Sequence, residues 1–372
     1  MNKIIQNLDV AGGILLIICS ALTLMWANVS PDTYLAFNSY QLFAGFDTKH
    51  FVNDVLMTPF FFLIGLEVVH EAKHGALKSK EKVMLPLVAA ISGFIIPAVL
   101  YVTFVGSNSE NISGWAIPTA TDIAFALGVL ALLGKRVPSN LKVLLMAIAV
   151  IDDLLAIVTI AIFYTDQIQI PMLISSLFCI AVMHHLHRNN IKFISAYVGI
   201  GLILWFSMYN AGIHATLAGV ITAIFIPRCK DGFTDNMEHC LHGFVALIVV
   251  PVFAVCNAGV SFSGGVLESL DSVALAVALG LLVGKPLGIV TATIWCTKTG
   301  LAKLPEGVNT QMIVGISILC SIGFTMSIYI GSLAGLSNES YKIGILLAAA
   351  IATVLGMSTL MVATKEDSSI RP

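Results

Sequence analysis

The side chains in this sequence that could do chemistry are few, and most of them lie where a charge is costly. Asp122 falls in AIPTATDIAFALG, the adjacent Asp152 and Asp153 in AIAVIDDLLAIV, and Lys285 in LGLLVGKPLGIV, each inside a long apolar run. An ionisable group at such a place must be paired or must line a wet cavity, so each of the four is a candidate for function. Asp54 and Glu67 sit nearer the ends of their runs, where the cost is smaller. Carboxylate oxygens are hard donors that suit hard cations. Two carboxylates side by side in a low-dielectric site also titrate as a coupled pair. A cation and protons then compete for the same oxygens, which is the chemistry of ion exchange.

A second motif points elsewhere. His70-Glu71-Ala72-Lys73-His74 matches the H-E-x-x-H signature of zinc metalloproteases, in which two histidines share one helix face and the glutamate activates water. No third-ligand motif such as Asn-Pro-Asp-Gly accompanies it. An intramembrane zinc protease through His70, Glu71 and His74 is therefore the enzyme alternative. The cluster His184-His185-Leu186-His187 lies at the end of an apolar run and reads as a solvated face.

The elements that must position these residues follow from composition. Of 372 residues, 58% are hydrophobic and 11% charged, with a mean hydropathy of +0.94, whereas an ordinary soluble domain carries about 25% charged residues. The reading is a single all-α polytopic membrane domain over residues 1–372. Apolar runs suited to membrane spans lie near 10–29, 51–69, 83–105, 114–134, 139–163, 170–187, 191–208, 211–227, 239–260, 272–295, 311–334 and 342–364, about twelve in all. The first run is long and lacks a convincing cleavage site, so it is read as a retained span. A net charge of -2 argues against nucleic acid. The seven cysteines are scattered, many within the runs, and show no disulfide or zinc framework. Sixteen of the nineteen basic residues fall on one side of the membrane, Lys49 and Lys342 fall on the other, and Lys285 lies within a span. By the positive-inside bias both termini are expected in the cytoplasm.

Geometry within the spans refines the candidates. Neighbouring residues on a helix point about 100° apart, so Asp152 and Asp153 cannot serve one point alike. One can bind an ion while the other finds a cationic partner, and Lys285 is the basic residue at comparable depth. A salt bridge that merely locks two helices is the plainer alternative. Pro118 removes an amide donor, and Thr119 and Thr121 can bond the freed backbone, so the span at 114–134 should be interrupted. The span 311–334, with Gly315, Gly323, Thr325 and Ser327, is a candidate second broken helix or else a glycine-rich packing helix. Half-helix ends inside a membrane expose positive charge at N-termini and negative charge at C-termini, which Asp122 and Lys285 could neutralise respectively.

At ATDIAFALGVLALLGKRVP, IDDLLAI, GIHATLAGV, VGKPLGI and GFTMSI the chain closely resembles the NhaA family of bacterial sodium/proton antiporters, from about Gly12 to the last span. The resemblance implies a twelve-helix protein of the bacterial inner membrane with inverted repeats and two discontinuous helices crossing at mid-membrane. It implies export of Na⁺ or Li⁺ in exchange for protons, electrogenic and pH-regulated, with no organic cofactor and no enzymatic activity, in contact with lipid and compatible with a homodimer. Residue by residue, it makes Asp153 the Na⁺ ligand and Asp152 its proton-carrying neighbour, paired to Lys285 in the ion-free state. Thr121 and Asp122 match the unwound crossing. Glu67, Glu71, His214 and Glu238 match positions linked to pH response.

Where the family usually reads LEVKRE this chain reads LEVVHE, so His70 stands in place of an arginine, and the zinc-protease match arises from that change. A histidine titrates near neutrality and an arginine does not, so His70 joins the expected pH-response residues. Asp235, ahead of Glu238, likewise stands where a relative has a lysine. Transport is expected to be retained with a shifted pH profile. A cation channel is the remaining alternative; it would also use buried carboxylates but needs a continuous pore.

Overall fold

In the hydrocarbon of a bilayer no water is present to satisfy backbone amides, and a chain this apolar must bond them within each segment. The computed structural model does so with helices, and it describes residues 3–43, 45–75, 80–106, 109–165, 168–227, 233–262, 270–336 and 338–370. Ten helices among the described residues are long and apolar enough to cross: Val10–Val29, Thr48–Lys73, Val83–Val105, Glu110–Leu132, Ser139–Phe163, Ile170–Arg188, Ile194–Ala211, Met237–Asn257, Ser272–Lys298 and Tyr341–Thr364. The pair Thr310–Leu319 and Phe324–Leu333, bent by 45° at its break, makes an eleventh. The protein is an all-α polytopic membrane protein. The strands among the described residues are a short antiparallel pair, Gln41–Phe43 with Phe46–Asp47.

The span expected at 211–227 is not one continuous helix. Gly212 takes a left-handed conformation (φ 80°) that ends the helix Ile194–Ala211, turns follow, and helix resumes only over Leu217–Phe225. Those nine residues rise about 14 Å at 1.5 Å per residue, roughly half of a hydrocarbon core of about 30 Å. A hydropathy window sees seventeen mostly apolar positions and misses the turn inside them.

The polarity of the bundle is that of a lipid-facing protein. Phe178, Leu202 and Val354 are exposed by 69%, 66% and 64%, while Asp152 and Lys285 are buried at 1% and 0%. Lys285 reaches the interior because its helix lies unusually close to the helix Lys80–Val105. A Cβ on Gly284 would stand 2.8 Å from the Cα of Pro97, and one on Gly288 would stand 2.8 Å from the Cα of Gly93. Small residues at such spacing let backbones approach, as membrane helices do at tight crossings. The turn before Lys285, Gly280–Gly284, is π-helical, a local widening common at functional sites.

Lys342, counted at the start of the last span by the charge tally, is buried, at 2% exposure. Its ammonium donates to Glu339 Oε2 at 2.6 Å, and Lys49 donates to Glu339 Oε1 at 3.1 Å. Asp271 accepts from Asn338 Nδ2 and Ser340 Oγ, so the segment 338–340 ties three helical units together. Burial pushes the Glu339 carboxyl up, but the ammonium groups of Lys342 and Lys49 outweigh it and hold the group below the usual carboxylate range. Its stabilising effect is present at neutral pH and is lost as pH falls through that lowered value. Glu339→Gln should lower stability at pH 7 by about 1–3 kcal/mol, less than for a fully buried pair because Glu339 is half-exposed. In detergent this reads as a lower melting temperature than the wild type, with the gap closing in strong acid. Equal melting at pH 7 would show that the pair contributes nothing.

Candidate functional site

Two helix breaks meet at the centre of the site. The first begins where a 3₁₀ helix, Glu110–Thr119, containing Pro118, gives way to extended backbone at Ala120 and Asp122 before the α-helix Ile123–Leu132 starts. The second separates Thr310–Leu319 from Phe324–Leu333. A backbone group freed at one break bonds the other, Asp122 N donating to Ile322 O at 2.7 Å, and the Thr121 hydroxyl oxygen stands 3.0 Å from Cys320 O. Ser327 Oγ adds a bond to Ile117 O at 2.7 Å.

One carboxylate caps both new N-termini. Asp122 Oδ1 accepts from Phe125 N at 3.0 Å, while its Oδ2 accepts from Thr325 N at 3.0 Å and from Thr325 Oγ1 at 2.5 Å. The positive ends of two half-helices thus share a single negative charge. At the opposite polarity, Lys285 Nζ donates to the carbonyl of Thr119, the last residue of the 3₁₀ segment. The same ammonium bonds Asp152 Oδ2 at 2.5 Å, and Thr121 Oγ1 donates to that oxygen at 2.6 Å.

Asp153 is placed differently. It is 2% exposed and its Oδ1 has no hydrogen-bond partner. The charges of Asp152, Glu67, Asp122 and Lys285 all reach it. The Oδ1 of Asp152 is likewise buried without a partner. Two buried carboxylate oxygens without a hydrogen-bond partner, next to a lysine–carboxylate contact, form an arrangement able to take a hard cation or protons.

The family described as Na⁺/H⁺ antiporter 1 matches residues 3–360. The chain belongs to it. It is 47% identical over 384 residues to the Na(+)/H(+) antiporter NhaA of Vibrio vulnificus strain YJ016, an alignment covering 99% of this chain and 98% of that protein. The Vibrio alginolyticus NhaA is 47% identical over 375 residues, 97% of each chain, and that of Aliivibrio fischeri strain MJ11 is 46% identical over 386 residues, 99% of this chain and all of that one.

Within this antiporter fold, Thr121, Asp122, Asp152, Asp153 and Lys285 are brought together. The residues expected to serve pH response are spread more widely. Glu67 lies on the helix Met57–His74, close enough for its charge to act on Asp153. Further along the same helix His70 Nδ1 stands 3.8 Å from Glu238 Oε2, two residues the sequence singled out without pairing them. The Glu71 carboxylate lies over Gly75, and His214 occupies the turn ahead of Leu217–Phe225, its carbonyl accepting from Leu217 N. The side chains of His74 and Asp235 lie outside the described residues; among those described, no group of three or more His, Cys, Asp or Glu is arranged to hold a metal. His187, expected on a solvated face, instead bonds Phe225 O through Nδ1 at 2.8 Å.

Sequence reasoning missed the Thr119 carbonyl as an acceptor for Lys285 and Thr325 as the partner of Asp122. A signal for the second was present, since a threonine just after Gly323 is where a half-helix N-terminus would place one. Removing the shared cap should be costly: an N-cap is worth about 1–2 kcal/mol, so Asp122→Ala, which loses two, should destabilise by about 2–4 kcal/mol. Asp122→Asn keeps one acceptor oxygen and should lose roughly half as much. Thermal unfolding of the purified variants in detergent measures both, and an Asp122→Ala protein as stable as the wild type would refute the shared cap.

Proposed function

We propose that the chain is a secondary active antiporter of the inner membrane that exports Na⁺ or Li⁺ in exchange for protons, electrogenically and under pH control. The observation that carries this reading is Asp153, a buried carboxylate with an unpartnered oxygen beside the Asp152–Lys285 pair. Asp153 binds the cation and Asp152 shares it and carries protons. In the ion-free state Asp152 is neutralised by Lys285. A cation entering between the carboxylates takes over that role and frees the ammonium, and returning protons reverse the exchange. Thr121 and Asp122 hold the first break in register with the second.

In this reading the two broken helices cross at mid-membrane within inverted repeats, and Leu217–Phe225 with its flanking turns completes a twelfth crossing. Both termini face the cytoplasm, as the basic residues favour. The protein works in the lipid bilayer without organic cofactor or enzymatic chemistry, and a homodimer is its expected assembly. Glu67, His70, Glu71, His214 and Glu238 tune the response to pH.

The test uses inside-out vesicles from cells lacking their own antiporters, energised so that the lumen acidifies and followed with a pH-sensitive dye. NaCl and LiCl should release the acid, KCl should not, and Asp153→Asn should abolish release. If no cation releases acid from mildly acidic to alkaline pH while the protein is present and folded, the exchange reading fails.

The pair His70–Glu238 supports a second prediction. Only a charged imidazole attracts the Glu238 carboxylate that faces it at 3.8 Å, whereas an arginine carries its charge at every working pH. His70→Arg should preserve exchange and displace its dependence on pH toward the alkaline side in the same vesicle assay. An unchanged profile would remove His70 from pH control.

A further inference from the structure

Hydroxyl groups buried in membrane helices bond a backbone carbonyl or another side chain, because nothing else is available to them. The two broken helices follow this rule at nearly every position. Thr119 Oγ1 donates to Ala116 O, Thr121 Oγ1 to Asp152 with Cys320 O also within 3.0 Å, and Ser317 Oγ to Val314 O. Thr325 Oγ1 donates to Asp122 and Ser327 Oγ to Ile117 O. Ser321 departs from the pattern: it is 0% exposed, and its Oγ has no partner.

The place of that hydroxyl is informative. Ser321 lies in the second break, and its own N–H is used on Ile318 O. Its neighbour Cys320 presents the carbonyl that Thr121 bonds, and the same Thr121 hydroxyl reaches Asp152 Oδ2. Ser321 is therefore one residue removed from an atom that a single threonine links to the carboxylate pair. Three buried oxygens, Asp152 Oδ1 and Asp153 Oδ1 on the helix Ser139–Phe163 and Ser321 Oγ in the second break, share the property of lacking a partner. Two carboxylate oxygens do not complete the shell of an alkali cation, and a neutral hydroxyl is a hard donor of the kind that shell requires.

We propose that Ser321 Oγ supplies an oxygen to the coordination shell of the transported cation and so sets how tightly Na⁺ and Li⁺ are held. This rests on the carboxylate pair being the cation site. The hydroxyl adds no charge, so it bears on affinity and on the choice between cations rather than on the proton count.

The experiment measures exchange in the vesicle assay at several NaCl and LiCl concentrations for the wild type, Ser321→Ala, Ser321→Cys and Ser321→Thr. Ser321→Ala should raise the apparent KM for Na⁺ about 10-fold while leaving the maximal rate within about twofold, the scale of losing one ligand-shell partner, and should change the ratio of Na⁺ to Li⁺ KM. Ser321→Cys, close in volume but with a soft donor, should behave like the alanine variant and serves if that one does not fold. Ser321→Thr, which keeps the hydroxyl, should restore KM. As a readout independent of transport, the rise in melting temperature that NaCl gives the purified wild type should shrink in Ser321→Ala and Ser321→Cys. Wild-type exchange with unchanged KM and an unchanged melting shift in these variants would overturn the role of Ser321 alone. A wild type that does not exchange would overturn the carboxylate reading beneath it.

Discussion

A helix interrupted within a membrane creates new ends, each with backbone groups that neither water nor the next turn can satisfy. The rest of this structure depends on how those ends are met. Asp122 meets the two N-termini and Lys285 meets the C-terminal carbonyl of Thr119. With both charges committed to helix ends, the placement of the aspartate pair is nearly determined. Asp152, facing Lys285, becomes its counterion, and Asp153, turned about 100° away on the same helix, is left with an oxygen that nothing in the fold claims.

Lys285 can act in this way only because its helix is pressed against a neighbour. Gly284 and Gly288 bring the backbone of that helix to Pro97 and Gly93 at distances that a side chain would forbid. A buried ion pair is a weak source of stability by itself, since desolvation offsets much of the attraction. Here the lysine also closes a helix end, so removing it would leave both an unpaired carboxylate and an open carbonyl. That double commitment is a physical reason for a lysine to be retained at a depth where a charge is otherwise unfavourable.

The parts of this arrangement that were legible in the sequence are those that violate an expectation of apolar sequence. Asp122, Asp152, Asp153 and Lys285 stand out because charge is rare in their surroundings, and Pro118 announces a break because it lacks a donor. What could not be read depends on three-dimensional placement. The residues 211–227 are apolar enough to span, yet Gly212 turns the chain, and composition carries no record of a φ angle. A charge tally gives Lys342 a side of the membrane but not its burial, which Glu339 allows by pairing with it. Ser321 is one small polar residue among many in such helices, and only the absence of a bond to its hydroxyl sets it apart.

The same economy of contacts couples ion binding to shape in the proposed cycle. A cation that settles on Asp152 and Asp153 weakens the bond between Asp152 and Lys285, and Lys285 is also the group that closes the Thr119 end of the first broken helix. Binding therefore changes the balance of charge at a helix terminus, and Thr121 passes that change to Cys320 across the crossing. A ligand shifts a conformational equilibrium only as far as it binds one state better than another. In the proposed cycle the difference arises at the first break, because Lys285, which closes the Thr119 end, is the group that a cation or a proton displaces from Asp152.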